Sequence, residues 1–275
     1  MPRKLLVYVA YDGAKFCGYQ TQQNGYSVQQ ALCEGTEALF GHACDVTGCS
    51  RTDSGVHANM FCATVTEHGK SYLSTTVPVD RIPRVLNIRL PEAVSVWHAR
   101  WVPTDFHARY GVSSKEYVYR IHNAPERDPF LVGRAWHYPR VISDGGLSAM
   151  QTAAAGFVGE RDFAACMAAG SSVRSTVRNV MSASVAREGD LITFRVRADG
   201  FLYNMVRIMM GTLVEVAEGR IPADEIPARL RSLDRTALGR TAPAEGLYLD
   251  RVFYDDPDRP GYHGSVVREE GADEG

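Results

Sequence analysis

The chain has 275 residues, with 30 lysines and arginines against 32 aspartates and glutamates and a formal net charge of -2. Hydrophobic residues at 45% and charged residues at 23% describe a globular chain with a sizeable core, and exclude disordered, collagen-like and disulfide-scaffold classes. The length suits two fused domains or one large sheet built in two halves, and a net charge near zero neither announces nor excludes a polyanionic partner.

Residues 5–10 are apolar and rich in β-formers, and Tyr11, Asp12 and Gly13 end them as a turn, so they read as a buried strand. Ser27 has the chemistry of an N-cap; Val28, Ala31, Leu32, Gly35 and Leu39 share one helical face, and Gly41 is the stop. After a glycine-punctuated loop, residues 61–65 form a second strand. Residues 79–88 predict a helix with Pro83 near its start or kinking it, and the alternation of Val94, Val96, His98 and Arg100 predicts a strand. The first half therefore reads roughly as β-α-β-α-β.

The second half repeats that grammar. Residues 116–121 are a strand and 147–157 an alanine-rich helix. Residues 177–185 and 191–196 flank Arg187, Glu188, Gly189 and Asp190, a hairpin turn signal. A helical apolar stripe runs from Phe201 to Glu218, a shorter helix covers 222–233, and 246–254 close the chain as a strand. The economical reading is an α+β fold of two halves with antiparallel pairing, residues 1–108 and 109–256, followed by a tail over 257–275 whose Pro, Gly, Asp and Glu predict fraying.

The longest apolar stretch, 205–216, is interrupted by Arg207 and Glu215, so no membrane span is expected. The N-terminus leads into a strand without a signal-peptide pattern, which predicts a cytoplasmic address. The six cysteines form no C-x-x-C pair and no zinc-ligand cluster, and read as reduced thiols, mostly in the core.

The chemistry concentrates in residues 48–58, where Gly48 and Gly55 punctuate a run holding Arg51, Thr52, Asp53, Ser54 and His57. A dense polar loop on a rigid scaffold is where catalytic groups tend to lie, yet a solvated turn with an Arg51–Asp53 ion pair explains the composition equally well. The wording of the loop separates the two. G-x-x-R-T-D-x-G-V-H-A resembles the catalytic motif of the tRNA pseudouridine synthase A family. The resemblance continues in order through Tyr11, Asp12 and Gly13, the segment 16–20, Phe106 to Arg109 leading to Tyr117, Gly159 to Phe163, the segment 201–211, and 242–249. Cys49, Ser50 and Ser54 depart from the family pattern, but all three are small and preserve the loop's shape.

That resemblance implies two ferredoxin-like, RRM-like halves joined in a pseudouridine synthase fold with a central, mainly antiparallel sheet. It implies isomerisation of uridine to pseudouridine in the anticodon stem-loop of tRNA, at positions 38, 39 and 40, by a homodimer in which one tRNA touches both subunits. The base is detached at its glycosidic nitrogen, turned and rejoined through carbon, which requires no redox cofactor, ATP or metal.

By resemblance Asp53 is the essential carboxylate, acting as nucleophile or as base toward a ribose proton. An ordinary Asp titrates near about 3.9. Arg207, in an otherwise apolar helix, is the expected partner holding it charged. Tyr117 would stack on the extruded uracil; Tyr119 shares its face, so spacing alone does not choose between them. Leu247 lines the same pocket, and Arg51 enters the place vacated by the base or holds a phosphate beside it. Arg109, Arg174 and Arg178 are candidate phosphate contacts, and His57 and His107 read as structural. The rival readings are a catalytically inactive RNA-binding module of the same fold, a nucleoside glycosidase and a metal-dependent nuclease. The last two would need paired or grouped carboxylates that the loop lacks.

Overall fold

The computed structural model describes residues 2–23, 25–170 and 173–255; the expected tail over 257–275 lies outside the described residues. The first half runs β1 (Lys4–Tyr11), α1 (Val28–Phe40), β2 (Cys44–Gly48), β3 (His57–Glu67), α2 (Ile82–Asn87) and β4 (Val94–Val102). The second runs β5 (Val112–His122), β6 (Trp136–His137), α3 (Asp144–Ala155), β7 (Gly159–Asp162), β8 (Val177–Glu188), β9 (Leu191–Ala198), α4 (Met205–Ala217), α5 (Ile226–Arg231) and β10 (Leu247–Tyr254). The ten strands of the described residues join one sheet in the order β4-β1-β3-β10-β5-β9-β8-β7, with β2 on β3 and β6 on β5.

Leaving aside the short β6, β7 and α5, each half is β-α-β-β-α-β. The order β4-β1-β3-β2 in the first half recurs as β10-β5-β9-β8 in the second. This is the ferredoxin-like arrangement twice over, and the sheet runs unbroken across the connection 103–111 between the halves.

Local chemistry sets the ends of the elements. Ser27 Oγ accepts from the Gln30 amide at 3.1 Å, and Gly41 closes α1 in the left-handed region at φ 76°. Within α1 the buried positions are Val28, Ala31, Leu32, Gly35 and Thr36, a stripe that only a packed helix produces. Gly35 lets α1 close on its neighbour, since a Cβ there would stand 2.8 Å from Leu90 Cδ2. The β8–β9 turn falls on Gly189, at φ 56°, and Asp190, where the sequence signal lies.

Several elements differ from expectation. The helix expected over 201–218 begins at Met205, because Asn204 adopts a left-handed φ of 61° and leaves residues 201–204 as a non-helical lead-in closed by a turn. The stripe misled because Phe201 and Leu202 are apolar for a different reason: they face a cleft rather than the helix core. Pro83 and Pro227 sit in the first turns of α2 and α5, so the helices expected over 79–88 and 222–233 are each a 3-10 turn followed by six α-helical residues. Strands β2 and β7 went unread because they carry no apolar run. Gly159, Glu160, Arg161 and Asp162 form a polar edge whose strand character comes from pairing with β8.

One seam positions the site. β10 pairs in parallel with the start of β3 through Tyr248↔His57 and Leu249↔Ala58, and antiparallel with β5 through Leu247↔Tyr119 and Leu249↔Tyr117. The polar loop preceding β3 is thereby brought beside Tyr117 of the other half.

Candidate active site

The loop between β2 and β3 is held by its backbone. The Cys49 amide donates to Cys62 O at 2.8 Å, the Tyr19 amide to Thr52 O at 3.1 Å, and the Val56 amide to Asp53 O at 3.1 Å. Tyr11 Oη and Thr52 Oγ1 lie 2.7 Å apart in the buried interior. The opening segment presses on this loop backbone to backbone. A Cβ on Gly13 would fall 1.9 Å from Val56 O, and one on Gly18, which has φ +106°, 2.8 Å from Thr52 O.

His57 is a brace. Its Nδ1 accepts from the Gly13 amide at 3.1 Å, its Nε2 lies 3.1 Å from Glu245 O, and its ring stacks on Tyr248 at 4.5 Å. Burial holds the imidazole below its ordinary pKa against the opposing pull of Asp12, so it stays neutral and donates from Nε2. His107 is likewise structural, its Nδ1 accepting from the Arg109 and Tyr110 amides at 3.1 and 3.2 Å.

Beside the loop opens a cleft of about 500 Å³, and Asp53, Arg51, Tyr117, Arg207 and Leu247 all line it. Such a volume suits a nucleoside-sized ligand. Asp53 is 38% exposed and its Oδ2 lies 3.7 Å from Arg207 Nη1. Arg207, 19% exposed, is fixed from behind: its Nε donates to Ala242 O at 2.7 Å and its Nη1 to Asn204 Oδ1 at 2.8 Å. The left-handed Asn204 that shortens α4 thus also orients its arginine.

Arg207 acts on Asp53 in the expected direction, toward the charged form, and burial acts against it. Burial pushes the Asp53 carboxyl above its ordinary value, and Arg207 offsets only part of that rise. The reason is geometric, since the guanidinium spends its two closest hydrogen bonds on Ala242 and Asn204 and stands off the carboxylate.

Tyr117 is 7% exposed, with its ring edge-on to Phe201 at 4.9 Å and its hydroxyl on Ser50. Tyr119, on the same face, is fully buried, donates to Pro243 O at 2.7 Å and does not line the cleft. What separates the two is depth along β5, because the segment 242–246 covers the second ring. Leu247 packs as the apolar wall beside them. Arg51 is exposed and has no hydrogen-bond or ion-pair partner among the described residues. Arg109 also lines the cleft, whereas Arg178 is tied to Ser175 O and Val177 O at 3.0 and 2.6 Å and lies outside it, as does exposed Arg174.

The sequence profile described as tRNA pseudouridine synthase matches residues 7–111 and 153–255, covering parts of both halves. The chain belongs to the tRNA pseudouridine synthase family. A tRNA pseudouridine synthase A of Ruminiclostridium cellulolyticum is 40% identical over 253 residues, covering 92% of this chain and all of the relative. The protein of the same name from Acetivibrio thermocellus is also 40% identical over 253 residues, and that of Thermoanaerobacter sp. 39% over 254, each with 92% of this chain and all of the relative covered. Asp53, Arg51, Arg207 and Leu247 fall within the stretches matched to the pseudouridine synthase family, while Tyr117 lies between them.

Phe201, Asn204 and Lys115 are among the cleft residues that the sequence reading does not single out. Phe201 was absorbed into a helix that starts later. Lys115 stands two positions before Tyr117 on the same strand face, and that spacing was the available signal. Among the described residues no helix is long and apolar enough to cross a membrane, and no group of three His, Cys, Asp or Glu side chains is placed to hold a metal.

Proposed function

We propose that this cleft receives one uridine turned out of the anticodon stem-loop of tRNA, at positions 38, 39 and 40, and isomerises it to pseudouridine, with Asp53 as the catalytic carboxylate. The single observation that carries the reading is Asp53 facing Arg207 at 3.7 Å inside a cleft that Tyr117 and Leu247 also line. In the reaction the bond from C1′ to N1 breaks, a bond from C1′ to C5 forms, C5 loses its proton and N1 gains one. Atoms and electrons balance without an external reductant. Asp53 serves as nucleophile or as base toward the ribose, and both routes need it ionised. Arg207 supports that form across the cleft.

A paired uridine must leave its helix at a cost of a few kcal/mol. Tyr117 offsets part of this by stacking, about 1–3 kcal/mol for one aromatic and one base. Leu247 gives the apolar wall beside it, and exposed Arg51 fills the vacated stack or meets the phosphate beside it.

The reading extends to a homodimer and to a cytoplasmic address. Phe130 and Val132, 85% and 68% exposed, offer apolar surface that a second subunit would cover, and all six cysteines are free thiols, as a reducing compartment favours.

The test is tritium release from tRNA carrying uracil labelled at C5. Release is expected from the wild type and not from Asp53→Ala; silence from both with intact tRNA binding would favour a binding-only module. For Tyr117→Phe we expect retained tRNA affinity with altered turnover. Tyr117→Leu should lower kcat/KM by roughly tenfold or more through lost stacking, and a leucine variant equal to wild type would remove Tyr117 from the uracil site.

A further inference from the structure

We propose that Lys115 holds a backbone phosphate of the flipped nucleotide, a role that rests on the function proposed above. The argument begins from a charge imbalance. Arg51, Arg109, Lys115 and Arg207 all line the cleft, against Asp53 as its one lining carboxylate among the described residues. Arg207 is the cation that Asp53 engages. Lys115 is half-buried and forms no ion pair among the described residues; its one hydrogen bond is from Nζ to Ser50 Oγ at 3.3 Å.

A partly desolvated ammonium without a counter-charge is costly, and an anion brought against it relieves that cost. Burial lowers the affinity of Lys115 for its proton, and Arg109 pushes the same way. The nearby Cys49 thiol is no counter-ion, since burial pushes it up to about 11 and it stays neutral. The missing anion is therefore brought by the ligand. In a cleft that takes a nucleotide of RNA, the available anion is a phosphodiester.

Position agrees with charge. Lys115 and Tyr117 project from the same face of β5, about 7 Å apart along the strand. That span is within reach from a nucleobase to the phosphate of its own nucleotide. Lys115 also touches Ser50, three residues before Asp53, so a phosphate on its ammonium would set the ribose against the loop that carries the carboxylate. A compact ammonium with free donors is suited to a phosphate oxygen.

The test uses an anticodon stem-loop RNA with one neutral methylphosphonate, placed 5′ or 3′ of the target uridine, read by affinity and by single-turnover tritium release. With unmodified RNA, Lys115→Met is expected to lose roughly tenfold or more in both, Lys115→Arg to recover most of it, and the salt dependence of binding to fall by about one ion for Lys115→Met. Wild type should lose a similar factor when one of the two phosphates is neutralised, and Lys115→Met should lose nothing further at that position. Equal, independent losses in wild type and Lys115→Met at both positions would overturn the proposal. So would a correctly folded Lys115→Met with undiminished affinity. A wild type that binds with this coupling yet releases no tritium would instead count against the isomerase reading, leaving the phosphate contact in place.

Discussion

Asp53→Asn is expected to abolish pseudouridine formation while leaving the protein at least as stable as wild type at neutral pH. The activity loss should be on the order of a thousandfold or more, because the amide neither attacks nor accepts a proton. The stability follows from the direction of the pKa shift. Burial raises the Asp53 carboxyl above its ordinary value despite Arg207, so the folded chain holds this proton more tightly than the unfolded chain. As pH rises from the unfolded toward the folded pKa the unfolded state ionises first, and stability declines. Above that window the folded protein carries an ionised group it disfavours, and below it the penalty is absent. Replacing the carboxylate with a neutral amide of the same shape removes that penalty, the usual relation between a functional group and the fold that holds it. Thermal melts at neutral pH check this, and a markedly lower Tm for Asp53→Asn would refute it. The same shift moves the acid limb of kcat/KM upward from the ordinary aspartate value. Arg207→Met should move that limb higher still, since it deletes the one influence that lowers the pKa.

Gly13→Ala is expected to damage stability and activity together. Its Cβ would be built 1.9 Å from Val56 O, a contact between two backbones that no side-chain rotation relieves. Overpacking of this kind costs about 3 kcal/mol, and for a chain of this size that lowers Tm by roughly 6–12 °C. The strain lands on the loop that carries Asp53, because the Val56 amide donates to Asp53 O and the Gly13 amide donates to His57 Nδ1. Tritium release should therefore fall even where the variant remains folded. Gly145→Ala in α3 is the control: its nearest neighbour, Ser143 Oγ, would lie 3.8 Å from the new Cβ, so the change should be neutral or slightly stabilising. Equal melting curves for Gly13→Ala and wild type would show that the opening turn and the loop are free to separate.

These two residues also show how the site is assembled. Gly13 reads in the sequence as the end of a strand, and nothing local says that its backbone must touch Val56. Asp53 reads as catalytic through the motif around it, but whether its carboxyl is raised or lowered depends on two quantities only the folded molecule sets. One is the depth of the cleft; the other is the 3.7 Å stand-off of Arg207, imposed by Ala242 and Asn204. Tyr117 and Tyr119 were equivalent by alternation, and their different fates follow from the segment 242–246, which covers one ring and leaves the other at the cleft.

What the amino-acid order determined by itself was local or motif-borne. Ser27 and Gly41 delimit α1, the glycine at 189 makes the β8–β9 turn, the apolar runs mark the interior strands, and the motif over 48–58 marks the loop. These signals act within a few residues, where hydrogen-bond ends, left-handed backbone and side-chain period are dictated by near neighbours. Tertiary structure alone decided the parallel seam of β3 and β10, the polar strands β2 and β7, the late start of α4, and the gathering of Lys115 with Ser50, Asp53 and Tyr117 at one cleft. Each depends on partners far along the chain, as with His57 and Glu245, 188 positions apart, and a strand or a buried charge of that kind acquires its character only from what it is packed against.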